Sequence, residues 1–265
     1  MAIASLAPLR RLKAAGEPIA CLTAYDASFA AGLAAAGVDL ILVGDSLGMV
    51  VQGHETTVPV TLDDMVYHTA AVRRGSGAVP VIADLPFLGF RDPEYALDGA
   101  ARLMQEGGAH GIKVEGGGDV ARVVERLTGQ GIPVCAHLGL QPQSVFKLGG
   151  YRVQGREPVA AKAMLNDAHA LEAAGADCLV LEAVPRELAG RIRAELHIPV
   201  IGIGAGADCD GQVLVLYDML GITPGHAPRF SHNFLEGAAD IPAAIAAYVA
   251  AVKGGTFPGP EHAFD

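Results

Sequence analysis

Asp45, Ser46, Asp84, Lys113, Glu115, His137 and Glu182 are the residues whose types and order could serve one reaction. Asp45, Asp84 and Glu115 supply hard carboxylate oxygens with no Cys or His doublet nearby. That donor set suits Mg²⁺, with water and substrate oxygens completing an octahedron. The alternative is a carboxylate cluster neutralised by Lys113 and by arginines from loops. Lys113 and Glu115 are two apart, so on one strand they face the same way, and Lys113 can balance an anionic substrate. Glu182 comes later in the chain and can stay clear of the cation to accept a proton. His137 can donate a hydrogen bond to a substrate oxygen. The combined expectation is enolate chemistry. A small 2-oxo acid chelates the cation through its keto and carboxylate oxygens, and Glu182 takes the proton beside the ketone.

Such residues act together only if the fold gathers them, and the elements around them do so. Short β-branched runs recur at 18–25, 39–46, 80–86, 111–116, 133–139, 178–184 and 199–206. An eighth, 211–220, has a periodicity that fits a strand or a helix equally. Continuous apolar runs of this length belong to strands covered on both faces. Ala- and Leu-rich helical stretches separate them. Thr61 with Asp64 forms a capping-box pattern, and Asp92-Pro93 reads as an N-cap followed by proline. AAAGVD, QEGGAH and EAAGAD each end a helix at glycine and return to a strand. Seven or eight strand–helix units without a linker predict an α/β fold: a single (β/α)₈ TIM barrel over 1–265, with a loop-like tail from about 253. A doubly wound sheet would want a Gly-rich phosphate turn after the first strand, and CLTAYDASFA has none. In a barrel the polar residues ending strands two to six converge on one rim. One strand-end acid could merely cap the next helix; five successive polar strand ends are a site.

Other reactive types are discounted. Asp63-Asp64 reads as helix-start chemistry. His54, His68, His110, His169, His197, His226, His232 and His262 show no metal-ligand spacing. GIGAG (202–206) resembles a phosphate-gripping turn, or equally a place where backbone passes close to another loop. Cys21, Cys135 and Cys178 lie in apolar runs and read as buried hydrophobes; Cys209, between two aspartates, is the one candidate for reactivity.

Composition narrows the partners. The 265 residues are 51% hydrophobic and 18% charged, with a net charge of −10. Mean hydropathy is +0.34. The negative charge argues against nucleic acid and against an anionic membrane surface. The apolar excess implies one large core with surface left for subunit contacts, hence a homo-oligomer. Four cysteines without a CxxC pair fit a reducing compartment. The N-terminus lacks the order of a secretory signal, and no window reaches about 18 uncharged apolar residues. A cytoplasmic protein is expected.

The phrases TAYDASFA, VGDSLGMVVQGHETTVPVTLDDMVYHTAAVRRG, ADLPF, GIKVEGG, PVCAHLGLQPQSV, GGYRVQGR, LEAVP and PVIGIGAG resemble the ketopantoate hydroxymethyltransferase family over roughly residues 18 to 222. The resemblance implies a barrel of the phosphoenolpyruvate/pyruvate type, with one Mg²⁺ per subunit on Asp45, Asp84 and Glu115. It implies a 2-oxo acid bound by Ser46 and Lys113, with Glu182 as general base; Asp45, Asp84 and His137 are expected to touch the substrate as well. The one-carbon donor it implies is 5,10-methylenetetrahydrofolate, the acceptor 3-methyl-2-oxobutanoate, the pathway pantothenate and coenzyme A synthesis, and the assembly a decamer. A departure lies at Phe230-Ser231-His232-Asn233-Phe234, where the family usually reads Phe-Val-Lys before the asparagine. Two rival readings remain: a Mg²⁺-dependent lyase or mutase of the same barrel superfamily, and a metal-binding scaffold without catalysis.

Overall fold

The computed structural model describes residues 4–223, 225 and 227–265; His226 lies outside the described residues. Eight parallel strands close into a barrel in chain order. They are β1 (Ile19–Thr23), β2 (Leu40–Val43), β3 (Val81–Asp84), β4 (Gly111–Glu115), β5 (Val134–Gly139), β6 (Cys178–Glu182), β7 (Val200–Ile203) and β8 (Gly211–Leu214). Nearly every strand residue is buried, as runs covered by helices outside and by packed side chains inside require. The undecided eighth run divides between both readings: β8 ends at Leu214, and a short helix, Leu216–Met219, follows at once.

Helix boundaries follow the local chemistry. Thr61 and Asp64 form the reciprocal capping box at the start of the helix Leu62–Gly75, while exposed Asp63 pairs with Arg102 at 2.8 Å. The Asp92 carboxylate caps Pro93–Gln105 by accepting from Tyr95 N–H at 2.9 Å. The β7–β8 connection has no helix. There Gly204 packs against the Phe230 ring, so close that a Cβ would lie 2.8 Å from it. The close-passing reading of GIGAG therefore describes this turn, and Phe230 is what passes. Beyond it, Phe234 joins Tyr248 and Phe257 in an edge-to-face cluster.

The end of the barrel away from the strand C-termini is closed by the helix Ala7–Ala15. Its Lys13 reaches buried Asp210 at 2.9 Å, and Arg193 meets the same carboxylate at 2.7 Å. Such a network at the bottom of a barrel serves stability. The helix Ile241–Lys253 buries Ala244, Ile245, Tyr248 and Val252. Tyr248 Oη then donates towards the Cys21 and Gln212 carbonyls at 2.8 and 2.9 Å. After Lys253 the chain forms only a short 3₁₀ turn, Pro260–His262. Among the described residues no helix is long and apolar enough to cross a membrane.

Candidate active site

Strand register brings the polar residues together. β3 and β4 pair Asp84 with Lys113, β4 and β5 pair Glu115 with His137, and β5 and β6 pair Gly139 with Glu182. Asp45 follows β2 by two residues, and its backbone N–H donates to Asp84 Oδ2 at 3.0 Å. All of the residues named from the sequence (Asp45, Ser46, Asp84, Lys113, Glu115, His137 and Glu182) line one cavity of about 730 Å³ at the C-terminal ends of the strands. An outer pocket of about 500 Å³ shares Glu115 with it but not the other six.

The charges are tightly interlocked. Lys113 Nζ lies 2.8 Å from Asp84 Oδ1 and 3.6 Å from Glu115 Oε1. The lysine is thus set among the acids in the cavity wall, and no arginine is among the ion-pair partners of Asp84 or Glu115 in the described residues. Burial lowers the Lys113 ammonium pKa, but Asp84, Glu115 and Asp45 outweigh it and push the value up. His137 stands between two acids, with Nδ1 3.4 Å from Glu115 Oε1 and Nε2 3.4 Å from Glu182 Oε2. These are ion-pair distances; neither ring nitrogen has an aligned hydrogen-bond partner among the described residues. Burial and Lys113 pull the imidazole pKa down, yet the two facing glutamates raise it to about 9. Ser46 Oγ shares a 2.8 Å hydrogen bond with Tyr25 Oη.

Glu182 differs from the other acids. Its side chain keeps 15% exposure, whereas those of Asp84 and Glu115 keep 3%. Two backbone features aim it. Gly139 has φ 96°, and a Cβ there would meet the Glu182 carbonyl at 2.2 Å, so only glycine lets β5 and β6 approach this closely. Ala183, the next residue along, holds φ 47°, a left-handed conformation costing roughly 1–2 kcal/mol without glycine. The bonds from Ala183 N–H to Ile203 O and from Gln154 N–H to Ala183 O, both 2.9 Å, retain it.

The acids fit a divalent cation as an open site. Among the described residues no group of three or more His, Cys, Asp or Glu side chains is arranged to hold a metal ion, and Lys113 intervenes between Asp84 and Glu115. Mg²⁺ needs only one or two carboxylates besides water and substrate oxygens. Asp45 and Asp84 are adjacent and face the cavity. Burial, then Asp84 and Glu115, push the Asp45 carboxyl well above the usual range, an electrostatic setting that a divalent cation would reverse. Glu115 Oε1 is buried without a hydrogen-bond partner. Of the three carboxylates expected as ligands, Asp45 and Asp84 lie side by side in the cavity wall, while Glu115 lies across Lys113 from Asp84.

Sequence reasoning missed several wall residues. Asp218, in the short helix after β8, accepts from Thr223 Oγ1 at 2.6 Å and lines the cavity. Burial raises its carboxyl pKa, with Thr223 lowering it and Glu182 adding to the rise. Tyr151 and Arg229 also line the cavity from loops. The run 211–220 carried Asp218 but could not say which face it took; nothing in the loops distinguished Tyr151 or Arg229. Among the discounted residues, His68 Nδ1 lies 2.7 Å from the Tyr25 carbonyl and His169 Nε2 2.9 Å from Glu195. Burial, then Asp210 and Asp208, push the Cys209 thiol up to about 12, so it is no thiolate nucleophile.

A model of the family Ketopantoate hydroxymethyltransferase matches residues 4–260. The chain belongs to this family. The 3-methyl-2-oxobutanoate hydroxymethyltransferase of Alkalilimnicola ehrlichii is 62% identical over 256 residues, 97% of this chain and 92% of that relative. Among solved structures, 2,3-dimethylmalate lyase, a PEP mutase/isocitrate lyase superfamily member, aligns with a TM-score of 0.58 at 18% identity, covering 81% of this chain and 79% of that one. Phosphonopyruvate hydrolase complexed with oxalate and Mg²⁺ aligns with a TM-score of 0.62 at 13% identity, covering 80% and 81%. At those identities the likeness is one of fold: this chain has the same kind of barrel as those structures.

Proposed function

We propose that the chain transfers a hydroxymethyl group from 5,10-methylenetetrahydrofolate to 3-methyl-2-oxobutanoate, giving ketopantoate and tetrahydrofolate, in pantothenate and coenzyme A synthesis. The observation that carries this reading is Glu182: the acid aimed by Gly139 and Ala183 into a cavity where Asp84 and Glu115 are tied to Lys113, on a chain belonging to this family. A Mg²⁺ held by Asp45 and Asp84, with Glu115 across Lys113 from Asp84, would supply Lewis-acid polarisation of the substrate ketone. Glu182 accepts the proton from C3 of the oxo acid. His137, set between Glu115 and Glu182, donates to a substrate oxygen. The Tyr25–Ser46 hydroxyl pair offers a donor to the substrate carboxylate, and Lys113 offsets the charge of the acids around it. In the net change C3 bonds to the methylene carbon, both carbon–nitrogen bonds that held that carbon to the folate break, water supplies the hydroxyl, and the two folate nitrogens take up the remaining water proton and the proton lost from C3. The free state of all four cysteines supports a cytoplasmic, reducing setting.

The bond-breaking alternative is not favoured, because the transferase relative is 62% identical whereas the lyase, at 18%, shares only the fold. Incubation with 3-methyl-2-oxobutanoate, 5,10-methylenetetrahydrofolate and Mg²⁺ should yield ketopantoate, and exhaustive chelation should abolish the product. Cleavage of the oxo acid without ketopantoate, or full activity after chelation, would contradict the proposal.

A further inference from the structure

Gln143 lies in the 3₁₀ turn Pro142–Ser144 that follows β5, and it keeps only 5% exposure. Its Nε2 donates to Asp45 Oδ2 at 2.9 Å and to the Leu85 carbonyl at 2.9 Å. Its backbone N–H donates to Glu115 Oε2 at 3.3 Å. One residue therefore ties together the acid beyond β2, the chain beyond β3 and the acid ending β4. The orientation of the amide is fixed by its partners. Turned over, Oε1 would face a carboxylate oxygen and a carbonyl, both acceptors, and both bonds would be lost. As it stands, Oε1 is buried with no hydrogen-bond partner, and so is Glu115 Oε1.

We propose that Gln143 is a positioning residue for the divalent cation: by donating to Asp45 Oδ2 it holds that carboxylate with the opposite oxygen left for the site, while its backbone N–H braces Glu115 through Oε2. Without the amide, repulsion from Asp84 and Glu115 is free to swing the Asp45 carboxylate away from them. Mg²⁺ tolerates little displacement of its ligands, and residues that orient ligands typically account for about 10–100-fold in metal affinity. The assignment rests on the reading of Asp45 and Asp84 as the carboxylates that hold the cation.

The test uses the metal-free full-length protein titrated with Mn²⁺, with free Mn²⁺ followed by its electron paramagnetic resonance signal. Gln143→Met keeps the side-chain length and the backbone N–H to Glu115 but removes the donor to Asp45. Gln143→Asn keeps the amide but is one methylene short. Both should bind Mn²⁺ about 10–100-fold more weakly, with metal-free melting temperatures showing that they are folded. In an Asp45→Asn background, Gln143→Met should cause little further loss, because its effect passes through Asp45. Wild-type Mn²⁺ affinity in either folded variant, or an undiminished loss in the Asp45→Asn background, would overturn the proposal for Gln143 alone. A wild-type protein that binds no Mn²⁺ would overturn the Asp45–Asp84 reading as well.

Discussion

Lys113 and Asp84 form a buried pair 2.8 Å apart, and the two residues are expected to fail differently when replaced. Lys113→Met removes the positive charge that Asp84, Glu115 and Asp45 share, so an anionic oxo acid enters a more negative cavity. Its KM for the oxo acid should rise, with turnover partly recovered at high substrate, while Mg²⁺ affinity is kept or tightened. Asp84→Asn leaves Lys113 an acceptor, which avoids the roughly 3–5 kcal/mol cost of stranding a buried charge, but removes an anionic ligand. Its requirement for Mg²⁺ should rise on the order of a hundredfold, with no rescue by oxo acid. Saturation curves for both ligands in both variants decide the matter. Recovery of Asp84→Asn by oxo acid alone would remove Asp84 from the cation site. At this scale the sequence made the residue types legible but not their partners. The period-two spacing put Lys113 and Glu115 on one face, but only the register of β3 against β4 determines that the lysine meets Asp84. Gln143, a neutral amide in a loop, carried no signal of charge or spacing.

At the scale of elements, the strands were legible because burial on both faces leaves unbroken apolar runs, five of them, β2 to β6, carrying a functional residue at or near the end. The β7–β8 turn and the split of 211–220 into strand and helix were not, since a short apolar run carries both periodicities. Gly139 shows how an element aims a side chain. Gly139→Ala would press a methyl group into the Glu182 carbonyl and strain a φ of 96°, so it should lower turnover and melting temperature together. Unchanged turnover in that variant would mean that the β5–β6 approach does not set the position of Glu182. His110 governs a different element, accepting the Val81 N–H at the start of β3 at 3.0 Å. Burial, then Arg73, pull its pKa down from 6.5 to about 4. The folded value lies below the unfolded one, so the unfolded chain takes up the proton first as pH falls from 6.5 towards 4. Stability is lost across that window. His110→Asn, whose amide oxygen can accept the same N–H without titrating, should flatten the fall in urea midpoint between pH 6.5 and 4. An equally steep fall in the variant would assign that pH dependence elsewhere.

For the whole molecule, the barrel supplies the logic that made the site readable, because closure in chain order sends every strand end to one rim. Loop-borne walls such as Tyr151 and Arg229 have no such rule. We propose that the chain is a homo-oligomer, because a composition of 51% hydrophobic against 18% charged residues exceeds what one barrel core needs and leaves apolar surface for subunit contacts. Sedimentation at micromolar concentration should give one species well above the 27.2 kDa chain mass, and a monomer would refute the proposal. The central claim, that this rim enolises a 2-oxo acid through Glu182, can be tested without the folate. Wild-type protein with Mg²⁺ and 3-methyl-2-oxobutanoate in D₂O should exchange the C3 proton for deuterium, as followed by NMR. Glu182→Gln, which keeps the shape but cannot take the proton, should bind the oxo acid yet exchange about 10²–10⁴-fold more slowly. Exchange at the wild-type rate in Glu182→Gln would contradict the account.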